Sequence, residues 1–225
     1  MRPNDMTRRS FLGAAGLGAA NLGSAGLGGA GLGMGLGAGA LLVLPGAARA
    51  DGLTPEDVYR DPDAPVLGNA RGDVTIAEFF DYQCPFCKKD YPVVSRFVKA
   101  DGGVRLVMKD WPIFGPPSVR ASHLVFGARE LGQYETAFDA LMRIRGALNE
   151  TDVARVLRGA GIDVDKADAA YRRTRAKWDA LLVRNAAQAR AFGFNGTPAF
   201  AIGTVIYPGL MDAEALQRAV DSARG

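Results

Sequence analysis

Cysteine and histidine are nearly missing from this chain of 225 residues, which has two cysteines, Cys84 and Cys87, and one histidine, His123. A structural zinc site is usually tetrahedral and draws on two cysteine pairs or on a pair with histidines. One pair and one histidine do not supply that set, so no metal site is expected. A Cys–His catalytic couple would need His123 beside a thiol. His123 falls out of phase with the apolar Leu124 and Ala128, so it reads as a surface residue. Runs of basic residues interleaved with aromatics are also lacking, which excludes a nucleic-acid footprint.

Charge is absent over one long stretch. No charged residue occurs from Leu12 to Leu44, a run of glycine, alanine and leucine. Before it stands Thr7-Arg8-Arg9-Ser10-Phe11-Leu12, which resembles the twin-arginine (Tat) export consensus of bacteria. After it stands Ala48-Arg49-Ala50, a small-x-small cleavage signature directly before Asp51. Residues 1–50 are therefore expected to be a cleaved Tat signal. The run is also long enough to span a bilayer, so a retained anchor is the competing reading. The first fifty residues hold Arg2, Arg8, Arg9 and Arg49 against Asp5 alone. The whole chain has 27 basic and 24 acidic residues, so removing the segment leaves 23 of each and no net charge. Export would place the two cysteines in an oxidising compartment, where a disulfide persists.

What the rest of the chain does have is strong punctuation. Residues 51–72 are rich in Asp, Pro and Gly and read as an extended lead-in. Ile76 and Phe79-Phe80 mark a buried strand over 73–81. A helix is expected from Cys84 to Lys99, with Pro85 in its first turn, where a missing N–H costs nothing. Pro92 inside it predicts a kink. Val104 to Lys109 reads as a second strand. The lone C-x-x-C thus sits in a βαβ context, which favours redox chemistry. From Ser118, expected as an N-cap, to Phe192 the apolar spacing is helical throughout, in about four helices. The stripe through Tyr171, Trp178 and Leu181 reads as core. A hairpin then follows, Thr197 to Ile202 and Val205 to Tyr207, and Asp212 caps a last helix.

These motifs carry a family resemblance. Phe79-Phe80-Asp81-Tyr82-Gln83-Cys84-Pro85-Phe86-Cys87-Lys88 and Gly196-Thr197-Pro198-Ala199-Phe200 stand in the order found in DsbA-like thiol:disulfide oxidoreductases, and the chain resembles that family over 66–222. The implied fold is α/β: a thioredoxin fold (βαβ…ββα) over 73–117 and 193–225, with a helical domain inserted at 118–192. Cys84, at a helix N-terminus, is expected to be an exposed nucleophile with a lowered pKa. Cys87 is expected to be the buried resolving thiol. The resemblance carries a buried proton-transfer acid onto Glu78, which shares its strand face with Ile76 and Phe80. It makes Pro198 a cis-proline opposite the dithiol and puts substrate contact at Thr197, Phe86 and Pro85. Tyr82, Trp111, Ile113, Phe114 and Phe86 are candidates for an apolar substrate groove or for core.

The implied activity is donation of a disulfide to reduced or unfolded envelope proteins, with reoxidation by a membrane redox partner. The protein is expected to be a periplasmic monomer that needs no bound cofactor. The same fold run as a reductase or isomerase is the first alternative. Phe86 stands where the strongest oxidants of the family carry histidine, and Thr before the cis-proline also occurs in reductases. A Cu(I) module using both thiolates is the second alternative.

Overall fold

The computed structural model describes residues 52–225. The export segment, its cleavage site and the anchor alternative lie outside the described residues. Among the described residues, no helix is long and apolar enough to cross a membrane.

The chain forms helix α1 (Pro55–Tyr59), strands β1 (Val66–Gly68) and β2 (Val74–Phe80), helix α2 (Pro85–Asp101) and strand β3 (Val104–Asp110). Four helices follow: α3 (Pro116–Glu130), α4 (Tyr134–Met142), α5 (Glu150–Gly159) and α6 (Val164–Ala191). Strands β4 (Ala199–Ile202) and β5 (Val205–Pro208) and helix α7 (Ala213–Arg224) close the chain. The strands make one sheet in the order β1-β3-β2-β4-β5. β2 and β3 are parallel, as a helical crossover requires, and the other three pairings are antiparallel. This is a thioredoxin-like α/β fold with α3–α6 inserted between β3 and β4.

β2 lies in the middle of the sheet and is covered on both faces, so it reads as a nearly continuous apolar run. Its side chains divide by parity. Ile76 and Phe80 enter a core shared with α2, α7 and the first helices of the insert. Ala77 and Phe79 enter a second core with α1, Phe126 and Trp178. Trp178 is fully buried and stacks on Phe126 at 4.7 Å between centroids, as the stripe on α6 predicts.

Several local expectations need correction. The lead-in is not merely extended: Thr54 caps α1 through a reciprocal bond with Asp57, and β1 pairs with β3, placing Val66 opposite Val107. Ser118 does not cap α3. The cap is Gly115, and Ser118, buried one turn in, donates its hydroxyl to Asp81 instead. The long helix α6 is two helices joined at Thr174, where φ is −113° and ψ 15°. The Thr174 hydroxyl donates to the Ala170 carbonyl at 3.0 Å, a back-bond that bends helices. α2 itself runs from Pro85 to Asp101 with Pro92 inside it.

Candidate active site

Two loops and one helix end meet at the cysteines. β2 ends at Phe80, and the turn Asp81–Gln83 delivers Cys84 to the N-cap of α2. The Cys84 amide donates to the Asp81 carbonyl at 3.1 Å. Pro85 opens the helix with its locked φ and absent donor. As N-cap, Cys84 folds its sulfur back over the helix start, where it accepts from the Cys87 amide at 3.3 Å. On the other side its thiol donates to the Thr197 carbonyl at 3.1 Å. Thr197–Pro198 is a cis peptide, and it precedes β4, which pairs with β2 so that Phe79 faces Ala199.

Both cysteines are free thiols without accessible surface. Cys87 is buried as expected. The exposed Cys84 of the sequence reading is corrected: capping geometry and the Thr197 backbone enclose its sulfur. The exposed part of the motif is Pro85 and Phe86, the latter 57% accessible, and Ile113 and Phe114 are exposed in the chain after β3. Tyr82, a groove candidate, is instead core, because it continues the Phe80 face of β2. It meets Phe80 and Phe138 edge-on at 5.1 and 6.0 Å. Trp111 packs against the second core.

The site splits the two thiols electrostatically. The neighbouring Cys87 thiol, helped by the amides of Cys87 and Phe86, draws Cys84 down to a pKa of about 6. Burial pushes Cys87 the other way, reinforced by the charge of Cys84. Glu78 is buried on the same face of β2 as Ile76 and Phe80. Burial, then the charges of Asp90 and Cys84, raise its carboxyl to about 8. Glu78 also lines a cavity of about 350 Å³ walled by Tyr91, Ser95 and Lys99. Chemically, the arrangement pairs a readily formed thiolate with a high-pKa partner and an acid that is protonated at neutrality.

The sequence reading gave no role to two residues that shape this site. Asp81 is buried and accepts four bonds: from the amides of Gln83 (2.6 Å), Ile113 (2.7 Å) and Phe114 (3.1 Å), and from the Ser118 hydroxyl (2.7 Å). It clamps the active-site turn to the segment leading into the insert. Gln83 exchanges two bonds with Leu148, 2.7 and 2.8 Å long, tying the same turn to the chain before α5. The available signal was a pair of polar residues directly after an apolar strand. Asp90 was missed as well. It is buried and raised to about 6, chiefly by burial, and its position three residues after Cys87 on the apolar face of α2 was readable. His123 is corrected from a surface residue. It stacks on Tyr171 at 4.1 Å between α3 and α6, and burial lowers its pKa.

Residues 75–221 match the family described as DSBA-like thioredoxin domain. The chain belongs to that family. Several solved structures share its fold. A thioredoxin-like oxidoreductase from Silicibacter pomeroyi DSS-3 is 41% identical, with a TM-score of 0.73, over 76% of this chain and 98% of that one. A periplasmic thioredoxin-like protein from Salmonella enterica serovar Typhimurium is 26% identical, with a TM-score of 0.65, over 75% and 94%. The thiol-disulfide exchange protein alpha-DsbA2 of Wolbachia pipientis, 24% identical with a TM-score of 0.69 over 74% and 90%, shares the fold. Among curated proteins, the DSBA-like chain is 27% identical over 177 residues to the Na(+)/H(+) antiporter NhaA 3 of Salinispora tropica. That match takes in 77% of this chain and 26% of the antiporter, so the chain spans about a quarter of that relative's length.

Proposed function

We propose that this DSBA-like oxidoreductase is exported and works as an oxidase, passing its Cys84–Cys87 disulfide to reduced envelope proteins. The observation that carries the direction is the pull on Cys84 to about 6. A stabilised thiolate makes the reduced enzyme the favoured product, so the disulfide is a good oxidant.

In this reaction a substrate thiolate attacks Cys84 Sγ. The Cys84–Cys87 bond breaks, and its electron pair leaves with Cys87. Because Cys87 holds a proton tightly, it takes one, and Glu78, protonated at neutrality, is the donor in this reading. A second substrate thiolate then attacks the substrate sulfur of the mixed disulfide and expels Cys84 as thiolate. The substrate dithiol becomes a disulfide, and the enzyme disulfide becomes a dithiol. Pro198 and the Thr197 backbone border the thiol, and Thr197, Phe86 and Pro85 are the substrate contacts in this reading. A membrane redox partner restores the disulfide, and the protein acts as a monomer.

The Arg8-Arg9 pattern and Ala48-Arg49-Ala50 support export with residues 1–50 removed, 73–117 and 193–225 forming the catalytic domain and 118–192 the insert. A periplasmic relative agrees with that location. The deciding experiment is equilibration of the pair with glutathione. A potential near about −120 mV supports the oxidase, and one near about −270 mV makes the protein a reductant.

A further inference from the structure

A groove of about 560 Å³ begins at the active-site motif and runs along α2. One wall is Pro85, Lys88, Lys89 and Pro92, spaced as a single helix face. The other wall is the segment just after α4, with Arg143, Ile144, Arg145 and Gly146. Lys88 fixes the two walls together, its ammonium donating to the Gly146 carbonyl at 2.8 Å. Four of the lining residues are cationic, and none is acidic. Arg143 is bound to Asp139 at 2.6 Å. Lys89 and Arg145 are exposed, and among the described residues neither has an ion pair.

We propose that this groove binds an acidic stretch of the substrate polypeptide while its cysteine is engaged at Cys84. The proposal rests on the exchange reaction above and names the substrates it favours. Apolar Pro85, Pro92 and Ile144 suit an extended backbone, and the two unpaired cations select carboxylates. The seven steps along α2 from Pro85 to Pro92 cover about 10 Å at ~1.5 Å each. An extended chain advances ~3.3 Å per residue, so the favoured Asp or Glu stands about three to five positions from the reacting cysteine. Such a field of one sign raises the encounter rate of a complementary segment and lowers that of a like-charged one.

The test uses reduced two-cysteine peptides that carry either Glu or Lys at those positions, on either side of the reacting cysteine. Their second-order rates with the oxidised protein are measured at pH 7. Acidic neighbours also weaken a peptide's own thiolate, whatever it reacts with. The readout is therefore the Glu-to-Lys rate ratio on the wild type divided by that on the Lys89→Glu/Arg145→Glu protein. Changes in Cys84 reactivity cancel in the same quotient. The expected quotient is about tenfold, shrinking as salt screens the groove. A quotient of one overturns the groove while leaving exchange intact. Failure of the wild type to react with any peptide overturns the exchange reading and the groove with it.

Discussion

Two thiols three residues apart, in one turn of one helix, are driven in opposite directions. Cys84 takes the hydrogen bonds that the N-terminus of α2 offers, and Cys87 takes the desolvation. Alkylation of Cys84 is expected to titrate with a midpoint of about 6. Because the Cys87 side chain is the largest cause, Cys87→Ala shifts that midpoint upward, read from the pH dependence of iodoacetamide rates. Glu78 makes a second prediction, about stability. Its folded pKa of about 8 lies above the 4.5 of an ordinary glutamate carboxyl. The native state thus holds the proton more tightly than the unfolded chain. The stability due to this group is full below pH 4.5 and is lost as pH rises through 8. Glu78→Gln removes that loss, so the variant gains on the wild type by roughly a few kcal/mol between pH 5 and 9. Urea midpoints at the two pH values measure it, and parallel losses in both proteins would refute it. The positions of Cys84 and Cys87 at the start of α2 and of Glu78 on the buried face of β2 were legible because spacing and strand parity are local. The enclosure of Cys84 was not, since the carbonyl that covers it comes from Thr197, far along the chain.

The elements were largely legible where a period or a cap is written in the sequence. β2, α2 and β3 fall within a residue or two of expectation, and Asp212 caps α7 through the Ala215 amide at 2.8 Å. The turn chemistry between elements was less legible. Asp81 ends β2, yet its four donors come from both its own turn and the 113–118 segment, a partnership with no short-range signature. Asp81→Ala strands those donors in a buried site and costs about 3 kcal/mol, measured by urea unfolding. It also frees the Ile113 and Phe114 amides, so their hydrogen exchange rises more than that of β3. Equal exchange at these amides in variant and wild type would show that Asp81 does not hold the segment. The break at Thr174 was hidden for a related reason: a threonine inside an apolar stripe does not announce which carbonyl it will choose.

In the whole molecule, the insert must seat a sheet that is apolar on both faces. α3 and α6 approach so closely that a Cβ on Gly127 would lie 1.9 Å from the Ala167 carbonyl oxygen. Backbone cannot yield as a side chain tip can. Gly127→Ala is therefore expected to lower stability by about 3 kcal/mol, with a fall in Tm but a Cys84 titration midpoint unchanged in the folded protein. A loss of the midpoint without a fall in Tm would mean that α3 acts on the site directly. By itself the sequence determined the order of elements, the placing of the C-x-x-C pair at a helix N-terminus, and the acid on the buried face of the central strand. Each of these follows from periodicity or from covalent neighbours. Only the tertiary structure decided what closes over Cys84, which polar groups lock the active-site turn, that Tyr82 is packed inside and that His123 is half-buried against Tyr171. It also decided that Lys88, Lys89, Arg143 and Arg145 share one groove. Those outcomes depend on segments distant in sequence arriving at the same place, and packing and desolvation act only on groups that have met.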